Sequence, residues 1–293
     1  MNVRPATRHD LPAIAELFGS VEEAVSGRPS GLDATAVDGW LHTISFETNT
    51  WLFEEEGQLV AGAFAQCFGE RGNSAGGVRP SAWGRGLGTQ LVDIMERRVS
   101  EEGASRIHSW TVADDAAAQE LFASRGYREA RRFWEMAIEL DADDTPEPSV
   151  GVETFVEGDA EAFHAALEES FADHWEHEPE PFAEWWSRQL RRENYDPSLW
   201  FVIRDGEEIA GVARCEARPR AGWVGALGVR RPWRGRGYGR ALLQHSFREF
   251  RRRGYTRAAL GVDASNATGA TQLYEGVGMH AEQENVVWEK VLG

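Results

Sequence analysis

Val229-Arg-Arg-Pro-Trp-Arg-Gly-Arg-Gly-Tyr-Gly239 and Val78-Arg-Pro-Ser-Ala-Trp-Gly-Arg-Gly-Leu-Gly88 are one glycine-arginine turn written twice in the same chain. Each copy follows an apolar segment and opens a stretch with helical spacing. A turn of this kind removes side chains from the start of a helix. Its unpaired backbone N–H groups can then close on an anion.

The repetition extends well beyond the turns. Trp51 matches Trp200, Glu56-Gly57 matches Asp205-Gly206, and Gly62 matches Gly211, each 149 residues on; Gly86 and Gly88 match Gly237 and Gly239 at 151, and Gly126 matches Gly278 at 152. So long a period describes two domain-sized copies rather than a solenoid. The expected organisation is residues 1–142, a linker at 143–149 that is acidic and contains Pro146 and Pro148, and residues 150–293. A net charge of −17 disfavours nucleic acid and anionic membranes as partners. With no apolar run of membrane-spanning length and no signal-peptide core, the expected compartment is the cytoplasm. Cys67 and Cys215 read as two buried, reduced thiols. Monomer and homodimer both remain open.

Each copy reads as a helix behind an acidic residue (Asp10, Asp159) and a hairpin through Trp51–Phe64 or Trp200–Ala213. The turn and its helix follow, then a buried strand, a helix ending at Gly126 or Gly278, and a closing strand, Phe133–Leu140 or Asn285–Leu292. This order predicts an α+β fold, a mixed and mostly antiparallel sheet flanked by helices in each copy. A dinucleotide fingerprint fails in both copies: its third glycine would fall on Arg240 or Thr89.

Residues Val229–Gly239, followed by Asn266, Ala270, Leu273, Tyr274 and Gly278-Met279, resemble the GCN5-related N-acetyltransferase (GNAT) superfamily. Its cofactor motif, Arg/Gln-x-x-Gly-x-Gly/Ala, is matched by Arg234-Gly-Arg-Gly237-Tyr-Gly239, and its later Asn and Leu-Tyr motif by the second group, with the Ala shifted one place. As a tandem pair the chain is similar, in architecture alone, to the mycothiol synthases. The resemblance implies acetyl-CoA as co-substrate, held by Leu227, Val229, Arg234, Gly235, Arg236, Gly237, Tyr238, Gly239 and Arg240 together with Asn266 and Tyr274. It also implies direct attack by an amine on the thioester, with Tyr274 protonating the departing sulfur.

The copies are unequal. Trp83 stands at the position of Arg234, Phe122 at that of Tyr274, and Gly72-Asn-Ser-Ala-Gly-Gly77 is a poor strand beside Trp223–Val229. The first copy is therefore expected to be degenerate and non-catalytic, with Val78, Arg85, Gly86 and Gly88 as a candidate second CoA site. On the acceptor side, Asp173, His174, Trp175 and Glu176 open a segment with five acids and three tryptophans, suited to a small cationic amine unless Trp185 or Trp186 packs inward. Asn266 and Glu176 join Tyr274 as catalytic candidates; His174, Glu176, Glu216 and Asp263 are all candidate bases. His174-x-x-His177 lacks the further ligands of a zinc site, so no metal is expected. The alternatives are a protein or peptide acetyltransferase and a non-catalytic CoA-binding regulator.

Overall fold

The computed structural model describes residues 1–41, 44–140, 146–192, 194–266 and 269–293; residues 143–145 of the expected linker lie outside them. The chain forms two compact units, Met1–Phe133 with Gln283–Gly293, and Trp134–Glu282. These units cut across the boundaries that the repeat suggests.

The first unit contains β1 (Asn2–Arg4), α1 (Leu11–Ser26), α2 (Ala34–Leu41), α3 (Phe46–Asn49), β2 (Thr50–Glu55), β3 (Gln58–Phe68), β4 (Arg71–Val78), α4 (Leu87–Glu101), β5 (Arg106–Val112) and α5 (Ala116–Ser124). β6 (Arg128–Glu139) leads into the second unit. There follow β7 (Glu153–Thr154), α6 (Ala160–Phe171), α7 (Phe182–Leu190), β8 (Trp200–Asp205), β9 (Glu208–Ala217), β10 (Gly222–Val229), α8 (Tyr238–Arg252), β11 (Arg257–Asp263), α9 (Ala270–Glu275) and β12 (His280–Val291). Strand order runs β1-β2-β3-β4-β5-β12 through the first unit and β6-β11-β10-β9-β8-β7 through the second.

The closing strands are exchanged. Residues Asn285–Val291 pair antiparallel with Val112–Arg106, and the Leu292 amide donates to the Ser105 carbonyl at 2.8 Å. The Leu140 amide donates to the Thr256 carbonyl, ahead of β11, at 2.6 Å. Val286 and Trp288 are buried in the first core, Met136 and Leu140 in the second. The sequence could not separate the two arrangements, because both closing strands carry the same alternation and each fits either sheet edge.

The aspartates precede their helices as expected, but neither side chain caps its own helix. Asp10 accepts from Arg4 at 2.9 and 2.7 Å, which holds its carboxyl down at about 2. Both cysteines are free thiols, and burial pushes each up to about 12. Among the described residues no helix is long and apolar enough to cross a membrane.

Two glycines let the parallel strands lie under the central helices. A Cβ on Gly222 would stand 2.1 Å from the Phe250 ring, and one on Gly72 would stand 2.7 Å from Val99. Phe250 is fully buried and cannot swing away. Gly222→Ala is expected to destabilise the fold by at least about 2 kcal/mol through overpacking. Urea denaturation of G222A, F250A and the double variant checks this: the double variant should cost clearly less than the sum of the singles.

Candidate active site

The structure pairs the two hairpins at an offset of 150, not 149. Phe53 opposite Ala61 corresponds to Ile203 opposite Gly211, and both hairpins turn immediately after Glu55 and Asp205. The first turn takes positive φ at Glu56 and Gly57, the second at Gly206, so aligning Glu-Gly on Asp-Gly slips the match by one residue.

The offset rises to 151 inside β10. Val224 faces Cys215 and Ala226 faces Arg214, leaving Gly225 as an extra residue in a β-bulge. The corresponding β3–β4 ladder runs without interruption from Phe68↔Arg71 to Ala61↔Val78. β10 pairs with β11 only through Gly222–Val224, and beyond the bulge the parallel pairing ends. The Arg230 amide bonds back to the Ala210 carbonyl at 3.0 Å. By strand alternation, the backbone groups of Leu227 and Val229 face away from β9, toward the opened side.

At the end of this opening lies the glycine turn. Gly235 and Gly237 have φ of +78° and +81°, where a side chain is strained. Among the described residues, no backbone carbonyl accepts from the amides of Gly235 through Arg240; the first such bond is Ala241 to Gly237, at 3.0 Å. Six donors at a helix N-terminus suit a pyrophosphate. Gly239 has a different reason to be glycine: a Cβ there would meet Leu273 of α9 at 2.8 Å. That contact sets α9, and with it Tyr274, against the start of α8.

The side chains of the turn bind protein first. Arg234 donates to the Val229 carbonyl at 3.1 Å and the Ser170 carbonyl at 3.3 Å, and Arg240 donates to Gly276 at 2.8 Å. Arg236 stands 3.5 Å from Asp205, and the Tyr238 ring packs on the core. Trp83, in the place of Arg234, donates its indole N–H to the Val78 carbonyl at 2.6 Å. Trp83 thus performs the strand-tying part of the arginine's job, and its presence alone does not mark the first turn as broken.

Other features do separate the copies. The first turn keeps Gly86 at φ +77°, and Gly88 leaves 3.1 Å to Leu121. However, Arg85 is held by Glu55, and a hollow of about 870 Å³ beside the turn is lined by Glu54, Glu55 and Glu56. Carboxylates there oppose a pyrophosphate. Phe122 packs against Tyr127 at 4.8 Å and Trp288 at 6.1 Å. Tyr274 is buried, its hydroxyl has no hydrogen-bond partner among the described residues, and burial pushes its phenol up to about 12. Asn266 follows β11, its amide bonded to the Asp263 carbonyl at 3.0 Å.

On the acceptor side, Asp173 is engaged by Arg231 in two bonds of 2.7 Å, and Glu180 pairs with Arg188. Trp185 is buried, and Trp186 stacks with it and with Phe182, so both indoles serve the core. His174, Trp175 and Glu176 are half-buried on the segment after α6, and Glu176 adopts an uncommon φ of +57°. Burial lowers the His174 imidazole below its usual 6.5 despite the pull of Asp263. His177 instead bonds Glu168 at 3.1 Å. Glu216 is a poor base. Burial would raise its carboxyl, yet Arg218, Arg192 and Arg214 together hold it low, and it accepts bonds from Arg192, Arg218 and Asn194. Sequence reasoning missed Gly225 and Arg214, although the change of repeat spacing across β10 was a signal for the bulge.

The family model for acetyltransferases (GNAT) matches residues 22–127 and again 160–279. A mycothiol acetyltransferase of Thermobispora bispora is 31% identical over 229 residues, covering 73% of this chain and 74% of that protein. One from Geodermatophilus obscurus is 29% identical over 286 residues, covering 90% and 84%. Among solved structures, a GCN5-related N-acetyltransferase from Sphaerobacter thermophilus superposes with a TM-score of 0.86 at 32% identity, over 99% of this chain and 95% of that one. A tandem GNAT protein from the clavulanic acid biosynthesis pathway shares the fold, with a TM-score of 0.76 at 15% identity over 100% and 98%. The doubled glycine turn, the bulged strand and these matches have one common reading: the chain belongs to the GNAT acetyltransferase family, in its tandem form.

Proposed function

We propose that the chain transfers an acetyl group from acetyl-CoA to the primary amine of a small acceptor, by direct attack in a ternary complex, and that the second unit carries the reaction. The observation that supports this best is the bulge at Gly225 in β10, which displaces Leu227 and Val229 and which β4 lacks, although both strands leave their parallel neighbour at the same place. The amides of Gly235–Arg240 would hold the pyrophosphate, and the backbone at Leu227 and Val229 would pair with the pantetheine arm. An N–H there would polarise the thioester carbonyl. The acceptor arrives as an ammonium, a cation suited to Glu176 and Asp263. Neutral His174 takes one of its protons. The amine then bonds to the acetyl carbon, the carbon–sulfur bond breaks, and Tyr274 gives its proton to the sulfur and regains one from the second proton shed by the acylated nitrogen, with Asn266 following β11 beside this step. The names of the relatives agree with a small-molecule acceptor.

Thiol release from acetyl-CoA, corrected for hydrolysis and measured across classes of amine, tests the reading. Acetylated product should appear by mass for at least one small amine, and absence of product throughout would sink the proposal. The pH profile tests His174. A base must be neutral, and burial holds this imidazole below 6.5. kcat/KM should therefore rise with pH through a midpoint below 6.5 and then flatten. His174→Gln should remove that acidic limb, and an unchanged limb would assign the base elsewhere.

A further inference from the structure

Four arginines surround the bulge side of β9, and three of them are paired with two carboxylates. Arg188 pairs with Glu180, Arg192 with Glu216, and Arg218 with Glu216 while lying 3.7 Å over the Trp223 ring. Arg214 is different. It is half-buried, and among the described residues it makes no hydrogen bond or ion pair. Its guanidinium lies on the bulge itself: Nη2 is 3.3 Å and Cζ 3.5 Å from where a Gly225 Cβ would stand. Burial and the neighbouring Arg192 lower its pKa to about 10, which leaves it charged at neutral pH. Glu216 acts on it only through space, and a desolvated cation with no hydrogen-bonded partner is costly to maintain. Here the surrounding group is locally cationic within a chain of net charge −17, so it concentrates attraction for an anion at one point.

The first unit carries neither part of this arrangement. Phe64 occupies the place of Arg214 and packs on Phe18 at 6.1 Å, opposite Ala75 in an unbulged ladder. Guanidinium and bulge therefore occur together, and only in the unit with Tyr274. Arg214 also sits opposite Ala226, at the bulge and not at the glycine turn whose amides would hold the pyrophosphate.

We propose that Arg214 docks a carboxylate of the acceptor, so that the acceptor is a small amine bearing a carboxylate at its other end. A guanidinium presents parallel donors that match a carboxylate, which favours this group over a lone hydroxyl or amide. The proposal rests on the acetyl-transfer reading above and narrows its acceptor class.

The test compares free amino acids with their amides, which keep the amine and lose the anion, and adds phosphoethanolamine as an aminoalkyl phosphate. The wild-type protein should favour the free acids by about 10-fold or more in kcat/KM, the factor equivalent to about 1.4 kcal/mol. Arg214→Met should erase the preference through KM, Arg214→Lys should keep part of it, and KM for acetyl-CoA should not move. No preference in the wild type, a preference for the phosphate, or an unchanged ratio in R214M would each overturn the carboxylate assignment while leaving acetyl transfer intact. If the wild type acetylates nothing, the transfer reading fails. The subsite is then read by calorimetry with N-acetyl amino acids. Binding to wild type but not to R214M sustains it, and any other pattern removes it.

Discussion

Tyr274→Phe is expected to lower the turnover number by about 10²-fold or more, the lower range for loss of a general acid. The change removes one hydroxyl that bonds nothing in the described structure, so folding and CoA affinity should hardly move. Burial keeps the phenol protonated up to about 12, so the proton is present throughout the working pH range. Phe122→Tyr should restore nothing in a protein already carrying Tyr274→Phe. A hydroxyl added to Phe122 would enter an aromatic cluster with Tyr127 and Trp288, in a unit whose β4 keeps an unbroken register with β3. Turnover numbers of the two single variants and the double variant settle the matter. Near-normal turnover in Y274F would falsify the general-acid role, and rescue by Phe122→Tyr would return catalytic standing to the first unit.

Deleting Gly225 is expected to be comparably damaging, for a reason of backbone rather than side chain. Without it, Val224 opposite Cys215 would be followed directly by Ala226 opposite Arg214, the uninterrupted register of the first unit. The fold has a precedent for that ladder within the same chain, so the deletion variant should remain folded. Its Leu227 and Val229 groups would lose the displacement that the bulge gives them relative to β9. CoA affinity should fall by about 10-fold or more, roughly 1.4 kcal/mol, and turnover should fall with it. Calorimetry with CoA, alongside a thermal melt, reads both quantities. Unchanged affinity in a folded deletion variant would mean that the bulge is not what admits the ligand.

Much of this architecture was legible in the sequence because glycine leaves few readings open. Gly235 and Gly237 had to be turn residues, and the spacing of Asn266 and Tyr274 behind them pointed to one family. The acceptor segment was less legible. Its composition suggested an acidic aromatic wall, yet Asp173 is matched by Arg231, far along the chain, and Glu180 by Arg188 on the next helix, and Trp185 and Trp186 fill the core. Composition reports which charges are present and not how they pair. Arg214 was invisible for the same reason: one arginine among 31 basic residues is set apart only by lying half-buried at the bulge with no side-chain hydrogen bond or ion pair among the described residues. The strand exchange was hidden more thoroughly, since alternation records which face of a strand is buried and says nothing of which sheet it joins.

That exchange sets an order of events during synthesis. β5 is complete at Val112, but the strand that covers its edge begins to pair only at Asn285. At roughly 5–20 residues per second, the nascent first unit waits on the order of ten seconds or more with that edge open. An open edge is a template for any passing strand. The half that is made first is finished last, and its quality depends on residues that the ribosome has not yet reached.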